Sequence, residues 1–439
     1  MRIKYLLILF LLVTAWSSLK AQEMQKLSIE KAVEIALNNS DEAKLADTKV
    51  RTAENQLQST KNLQYPDLSI SGQYQHLFKP DVDVKLFSNQ NPDAAEGQAT
   101  ASPNVNQLLL GQASLSVPVF SGFKIQNTIE ANENNFKAVS FDAKESKEQI
   151  ALTTIQNYIN LYKAQQTVEL FKENPKSSQQ RVKDFSAMEE NGLLARNDLL
   201  KAKLQEANVR LSLEEAQKQV KILNYRLAIF LKQPRNTQFQ IQENFGLPPK
   251  EIAINDGDAR PELEALRYRQ QASENGIKVA KSNYYPSVSL LGGYIAADIK
   301  NAITVTNAMN IGMGLSYDLS NIFKNKSEVR KAKSKAEEVE YNLKILDDQI
   351  NVEIENARQE YELAQRKLDV FAESEEQAIE NYRIVKDKYD NGLVDTNDLL
   401  EADLQKLQSK INLAYAKANI TLMKYQLYKA EGTLTNQFK

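Results

Sequence analysis

The chain contains no cysteine and a single histidine, His76. Without cysteine there is no disulfide framework, no thiol chemistry and no acylated lipobox residue. With one histidine the usual nucleophile–base triads cannot be assembled, and no His/Cys/acid cluster has metal-ligand spacing. A phosphate-cradling glycine loop and a nucleophile elbow are also missing. These absences predict a non-enzyme with no cofactor and no metal, in which His76 is a surface residue at a strand end. Glycine and proline are scarce, at 14 and 11 residues of 439, as long helices demand. After the N-terminus no apolar run is long enough for a transmembrane helix. A formal net charge of −2 argues against a nucleic-acid partner.

What is present begins with Arg2 and Lys4, an apolar run from Tyr5 to Trp16, and a small-residue stretch ending at Ala21. About a dozen apolar residues suit a signal peptide over residues 1–21 and not a membrane span. The mature chain is thus expected to be exported.

The strongest signal is an internal repeat. Asn191-Gly192-Leu193 followed by Asn197-Asp198-Leu199-Leu200 recurs as Asn391-Gly392-Leu393 followed by Asn397-Asp398-Leu399-Leu400. At the same offset of about 200 residues, Phe123-Lys124 falls on Phe323-Lys324, Phe171 on Phe371 and Tyr225 on Tyr425. Tyr65-Pro66 matches Tyr285-Pro286 at a slightly larger offset, so one loop of the first copy is longer. The expected organisation is a first repeat over 22–232, a linker over 233–258, a second repeat over 259–431 and a tail over 432–439.

Periodicity fills in each repeat. Apolar residues at steps of three and four predict helices over about 41–64, 122–190 and 195–232, then 259–284, 322–390 and 394–431. A short accessory helix is expected over 27–39. Pro175 should kink or restart the first long helix. Between the short and long helices the period changes to two, predicting strands over about 67–77, 107–119, 287–297 and 309–319. Each has one apolar and one polar face, with aromatics such as Tyr65, Phe120, Phe123, Tyr285 and Phe323 at one end. That pattern fits a membrane barrel with an interfacial aromatic belt. Four strands cannot close a barrel, and open edges in lipid are costly. A homotrimer supplying twelve strands is therefore expected; a dimer's eight would enclose an interior filled by side chains. The loop over 78–106, with Asp81, Asp83, Asp93 and Glu96, would be extracellular.

Two copies of helix, strand, strand, long helix, Asn-Gly-Leu turn and helix resemble the TolC family of outer-membrane efflux ducts. So do Tyr-Pro before each outgoing strand and Ala259-Arg260-Pro261-Glu262-Leu263 at the second copy's start. The resemblance covers about 27–431. It implies a mostly α fold with a small β-barrel in the outer membrane, continued by a long periplasmic α-helical barrel. It also implies a homotrimer that works with a periplasmic adaptor (membrane fusion) protein and an inner-membrane pump, in efflux or type I secretion. The turns Asn191, Gly192, Leu193 and Asn391, Gly392, Leu393 would be the adaptor-docking tip, or only left-handed turns. A periplasmic gate is expected from Asp398 and Glu401, one helical turn apart, with Asp198 and Lys201 as their compensated counterparts. Asp398 is equally placed to cap its helix. The family often places a basic latch residue in the second tip; here Val394 stands there, and Arg196 of the first copy is expected to reach towards Asp398 or Asp395. The competing reading is a periplasmic or surface coiled-coil protein with no pore. Phe438 resembles an assembly signal but follows a helix, and is set aside.

Overall fold

A computed structural model describes residues 24–78, 106–241, 245, 260–300 and 303–438, with only the backbone for 173–177. The expected signal peptide, the acidic loop and most of the linker lie outside the described residues. The elements in chain order are β1 (Gln25–Leu27), α1 (Ile29–Asn39), α2 (Asp41–Lys61), β2 (Asp67–His76), β3 (Gln107–Phe120), α3 (Lys124–Glu190) and α4 (Arg196–Phe230). They continue with β4 (Phe239–Ile241), α5 (Pro261–Ser282), β5 (Ser287–Ile299), β6 (Ile303–Ser316), α6 (Asn321–Asp390) and α7 (Thr396–Ala430). The order helix, strand, strand, long helix, helix thus occurs twice. The chain forms two compact units that cut across this order. One holds Met1–Val50, Val139–Ala265 and Leu343–Lys439, the other Arg51–Ala138 and Leu266–Asn342.

The second unit contains a four-stranded antiparallel sheet in the order β2-β3-β5-β6. Its register stacks like with like. Ile70 lies opposite Ala113, which lies opposite Tyr294, which lies opposite Met309. Leu68, Leu115, Gly292 and Ile311 form the neighbouring row. Successive side chains alternate between faces, so the face carrying these rows is apolar apart from Asp298 and Thr304 at one end, while Ser69, Ser71, Gln73, Gln112 and Ser114 share the other. Among the described residues no element covers the apolar face: Ile70 and Ile311 are each 83% exposed. Of the sequence-derived strands, the fourth differs, running over 303–316 and not 309–319. Ile295 pairs with Ala308 but Ala297 with Val305, so β6 carries an extra residue there, with Asn307 left-handed at φ 59°. A bulge of this kind flips the phase of the alternation, which hides Ile303–Thr306 from a period-two reading. The other end stops early because Asp318 turns the chain, accepting from the Ser320 amide at 2.9 Å.

The first unit holds the main apolar core, where α1, α3, α4 and the Phe239 segment meet. Ile155, Tyr158, Ile159, Leu161 and Leu227 are wholly buried there. The Tyr158 hydroxyl donates to the Leu27 carbonyl at 2.8 Å, so even the core's polar atom is satisfied. Three sequence expectations are corrected here. Leu27 belongs to β1 and not to the accessory helix, which starts at Ile29 because the Ser28 hydroxyl caps it, accepting from Lys31 N at 3.2 Å. The linker is not wholly irregular: β4 pairs in parallel with β1. Of the kink or restart expected at Pro175, the restart is excluded, because α3 is continuous from Lys124 to Glu190. A proline inside a helix costs about 3 kcal/mol; burial of Val168 before it and Phe185 after it holds the helix on both sides. The tail is also structured, as a 3-10 turn over Leu434–Phe438. Buried Glu148 anchors it by accepting from the amides of Leu434 (2.9 Å) and Thr435 (3.0 Å).

Candidate functional site: the hairpin tips and the charged junction

Both hairpin turns close in the same way. Asn191 ends α3, and its side chain donates to the Ala187 carbonyl at 2.6 Å. Gly192 is left-handed at φ 73°, its amide reaching the Glu189 carbonyl at 2.9 Å, while the Leu193 amide reaches Met188 at 2.8 Å. The two bonds form a Schellman motif, which satisfies the last carbonyls of a helix. Asn391, Gly392 (φ 71°) and Leu393 repeat it, with bonds to Tyr389 at 2.9 Å and Lys388 at 2.8 Å. A Cβ on either glycine would meet nothing within 4 Å, so backbone conformation alone asks for glycine. Each turn leaves its leucine uncovered, Leu193 at 74% and Leu393 at 73% exposure.

The returning helices start differently. Before α7, Asp395 accepts from the amides of Asn397 (2.7 Å) and Asp398 (3.1 Å), and the Asp398 carboxylate accepts from the Asp395 amide at 3.3 Å. Asp398 is thus half of a capping box. Glu401, one turn on, is exposed and accepts from Gln405 at 3.0 Å. Before α4, Ala195 supplies no side-chain cap, and Asp198 pairs with Lys201 at 3.2 Å. Arg196 reaches Glu189 of its own hairpin at 3.6 Å.

The contacts that join the two copies near the tips are residues the sequence reading did not single out. Arg181 of α3 meets Asp403 of α7 at 3.1 Å, with both side chains largely covered. Lys406 joins Asp403 at 3.0 Å and lies 3.3 Å over the Tyr382 ring. Phe185 stacks on Tyr389 at 5.9 Å. Further up, Thr167 bonds Tyr415 at 2.8 Å, and Lys163 bonds Asn419. Going back along α3 from Arg181 to Thr167 and Lys163 goes forward along α7 from Asp403 to Tyr415 and Asn419, so the two run antiparallel. A signal for this seam existed: at the repeat offset Arg181 falls on Asn381, and Asp403 on Lys203.

The motif opening the second copy builds a separate buried junction, at which residues of α3, α5, α6 and α7 converge. Arg260, 1% exposed, donates to Glu353 at 2.7 Å and to the Ala430 carbonyl at 3.1 Å, and pairs with Glu262. Lys429 lies 3.2 Å from Glu353 and 3.5 Å from Glu145. Burial, the hydrogen bond to Glu262 and that neighbour's charge push the Glu145 carboxyl up to about 8, against the pull of Lys429 and Arg260. Burial also opposes the Glu353 charge, but Arg260 and Lys429 outweigh it and hold that carboxyl below its ordinary range. Folding therefore raises the Glu145 pKa, so the folded state binds the extra proton. The stability Glu145 contributes is full below about pH 4.5 and is lost as pH rises to about 8. Within that window the slope approaches 1.4 kcal/mol per pH unit for one fully linked proton. Thermal unfolding of Glu145→Gln by circular dichroism from pH 6 to pH 9 should show a flatter decline than the unsubstituted protein; parallel curves would refute the proton held on Glu145.

Among the described residues no group of three His, Cys, Asp or Glu is placed to hold a metal, and no helix is long and apolar enough to cross a membrane. The family described as "Outer membrane efflux protein" matches residues 258–433. No curated protein matches the chain. Among solved structures, the CmeC outer membrane channel of Campylobacter jejuni superposes with a TM-score of 0.78 at 20% identity, covering 92% of this chain and 86% of that one. VceC of Vibrio cholerae gives 0.75 at 16% identity, over 92% and 96%. The open-state MtrE channel of Neisseria gonorrhoeae gives 0.73 at 16% identity, over 94% and 90%. Residues 258–433 are thus similar to the outer membrane efflux protein family, and over nearly its whole length the chain has the fold of these solved channels.

Proposed function

We propose that the chain is the outer-membrane exit duct of a tripartite efflux or type I secretion system. As a homotrimer it passively conducts substrates, handed over by a periplasmic adaptor and an inner-membrane pump, to the exterior. The observation that carries this reading is the sheet with an uncovered apolar face and two open edges, β2 and β6. Three copies supply twelve strands, a closed barrel with lipid outside and water inside. The long helix α6 supports the same assembly. Ile345, Val352, Leu363, Val370 and Ile384 are exposed along it at steps built from threes and fours, a seam for a helix of a neighbouring copy. A pore-less coiled-coil scaffold leaves both the sheet and its apolar face without a purpose.

In this reading Asn191–Leu193 and Asn391–Leu393 form the tip that meets the adaptor, with Leu193 and Leu393 as its apolar contacts. Asp398 and Glu401 would give two stacked acidic rings around the threefold axis, while Lys201 neutralises Asp198. Carboxylates about 4 Å apart repel by roughly 4 kcal/mol per pair at an effective dielectric near 20, so such rings favour cations in the passage. Planar-bilayer recordings test this. Asp398→Asn with Glu401→Gln should abolish cation selectivity and change conductance several-fold, with helix content unchanged. Selectivity that survives would leave Asp398 as a cap only. Arg196→Ala in the same recordings should raise conductance; an unchanged value removes Arg196 as a latch.

A further inference from the structure

The first turns of α6 carry an unusual charge. Between residues 321 and 336 lie Lys324, Lys326, Arg330, Lys331, Lys333 and Lys335, all exposed, against the single acid Glu328. The repeat does not require them. At the same offset the first copy has Lys124, Gln126, Glu130, Ala131, Glu133 and Asn135. Helix formation does not require them either, because the N-terminal end of a helix favours acids. Acidic residues return only from Glu337.

The cations divide into two stripes. Phe323, Lys326, Arg330 and Lys333 are spaced i, i+3, i+7 and i+10, which puts them on one helix face. Phe323 is 84% exposed. Its repeat counterpart Phe123 packs edge-on against Phe120 at 5.3 Å and Tyr285 at 6.1 Å. Phe120 pairs with Val288 at the end of the sheet's apolar face. Ser316, which ends β6 just before α6, pairs with Ser287, two residues after Tyr285, so the stripe starts at the end of the sheet where Phe120, Phe123 and Tyr285 cluster. The other stripe is Lys324, Lys331 and Lys335, with Lys331 paired to Glu328 at 3.3 Å.

We propose that Lys326, Arg330 and Lys333, next to Phe323, dock anionic phospholipid headgroups on the periplasmic leaflet of the membrane that the sheet enters. An apolar face, then aromatics, then cations is the order in which a bilayer presents its tails, interface and phosphates. The inference rests on the membrane reading above. Each cation near an anionic surface contributes roughly a five-fold preference, an effect confined to about a Debye length. The full chain is reconstituted into phosphatidylcholine vesicles and into mixed phosphatidylcholine–phosphatidylglycerol vesicles, and the lipid retained after detergent extraction is counted by native mass spectrometry. Phosphatidylglycerol should be enriched at least about ten-fold over its share of the mixture, and high salt should erase the enrichment. Lys326→Gln/Arg330→Gln/Lys333→Gln should lose it, and Lys324→Gln/Lys331→Gln/Lys335→Gln should keep it. Insertion without enrichment, or equal enrichment in both triple variants, overturns the docking stripe alone. Insertion into neither kind of vesicle overturns the membrane reading and the stripe with it.

Discussion

Replacing Arg260 with alanine should destabilise the fold by about 3–5 kcal/mol, the cost of removing one partner from a buried ion pair. The guanidinium is 1% exposed and serves three acceptors: Glu353, Glu262 and the Ala430 carbonyl. Its loss leaves Glu353 and Glu262 beside Glu145, with Lys429 left to balance Glu353 and Glu145. Lysine should not rescue, because one ammonium cannot reproduce the planar fork that addresses several acceptors at once. The backbone makes the site tighter still. Gly432 is left-handed at φ 72°, and a Cβ there would come within 3.1 Å of the Arg260 Cα. Denaturant unfolding followed by circular dichroism measures the effect, and a loss below about 1 kcal/mol would mean that the cluster relaxes into water on losing its cation.

That junction also shows where sequence reading stops. The motif Ala259-Arg260-Pro261-Glu262-Leu263 stood out in the sequence as a landmark, but its partners Glu145, Glu353 and Lys429 lie on three other helices, and no local period links them. The elements themselves were legible because each has its own period. Helices α3 and α6 announce themselves by steps of three and four, the strands by alternation, and the turns by an Asn-Gly pair in each copy. The start of β6 was hidden by one extra residue at Asn307, which reverses the alternation. The tip residues were legible because the repeat prints them twice. Arg181 and Asp403 were not, because a contact between copies need not obey the symmetry of either. Asp398 is half legible: the pattern places it one turn from Glu401, and the structure adds that it already caps α7.

The second large effect separates a lipid-facing sheet from a soluble one. Ile311→Lys should block assembly into the membrane, whereas Asn310→Lys should be tolerated. The two residues are adjacent on β6 and face opposite sides of the sheet. Ile311 pairs with Gly292 in the apolar row, and Asn310 pairs with Gly293 in the polar one. In water a lysine at a position 83% exposed would cost almost nothing. Near the bilayer midplane the same lysine costs about 2–4 kcal/mol, and in the proposed trimer that cost would recur in every copy. The polar face would line an aqueous lumen, where an added cation only shifts ion selectivity. The measurement is folding of the denatured protein into lipid vesicles, read as the heat-modifiable trimer band on a gel, with conductance recorded for what assembles. Equal yields for the two variants would mean that no lipid contacts β6, and the twelve-stranded barrel would have to be abandoned.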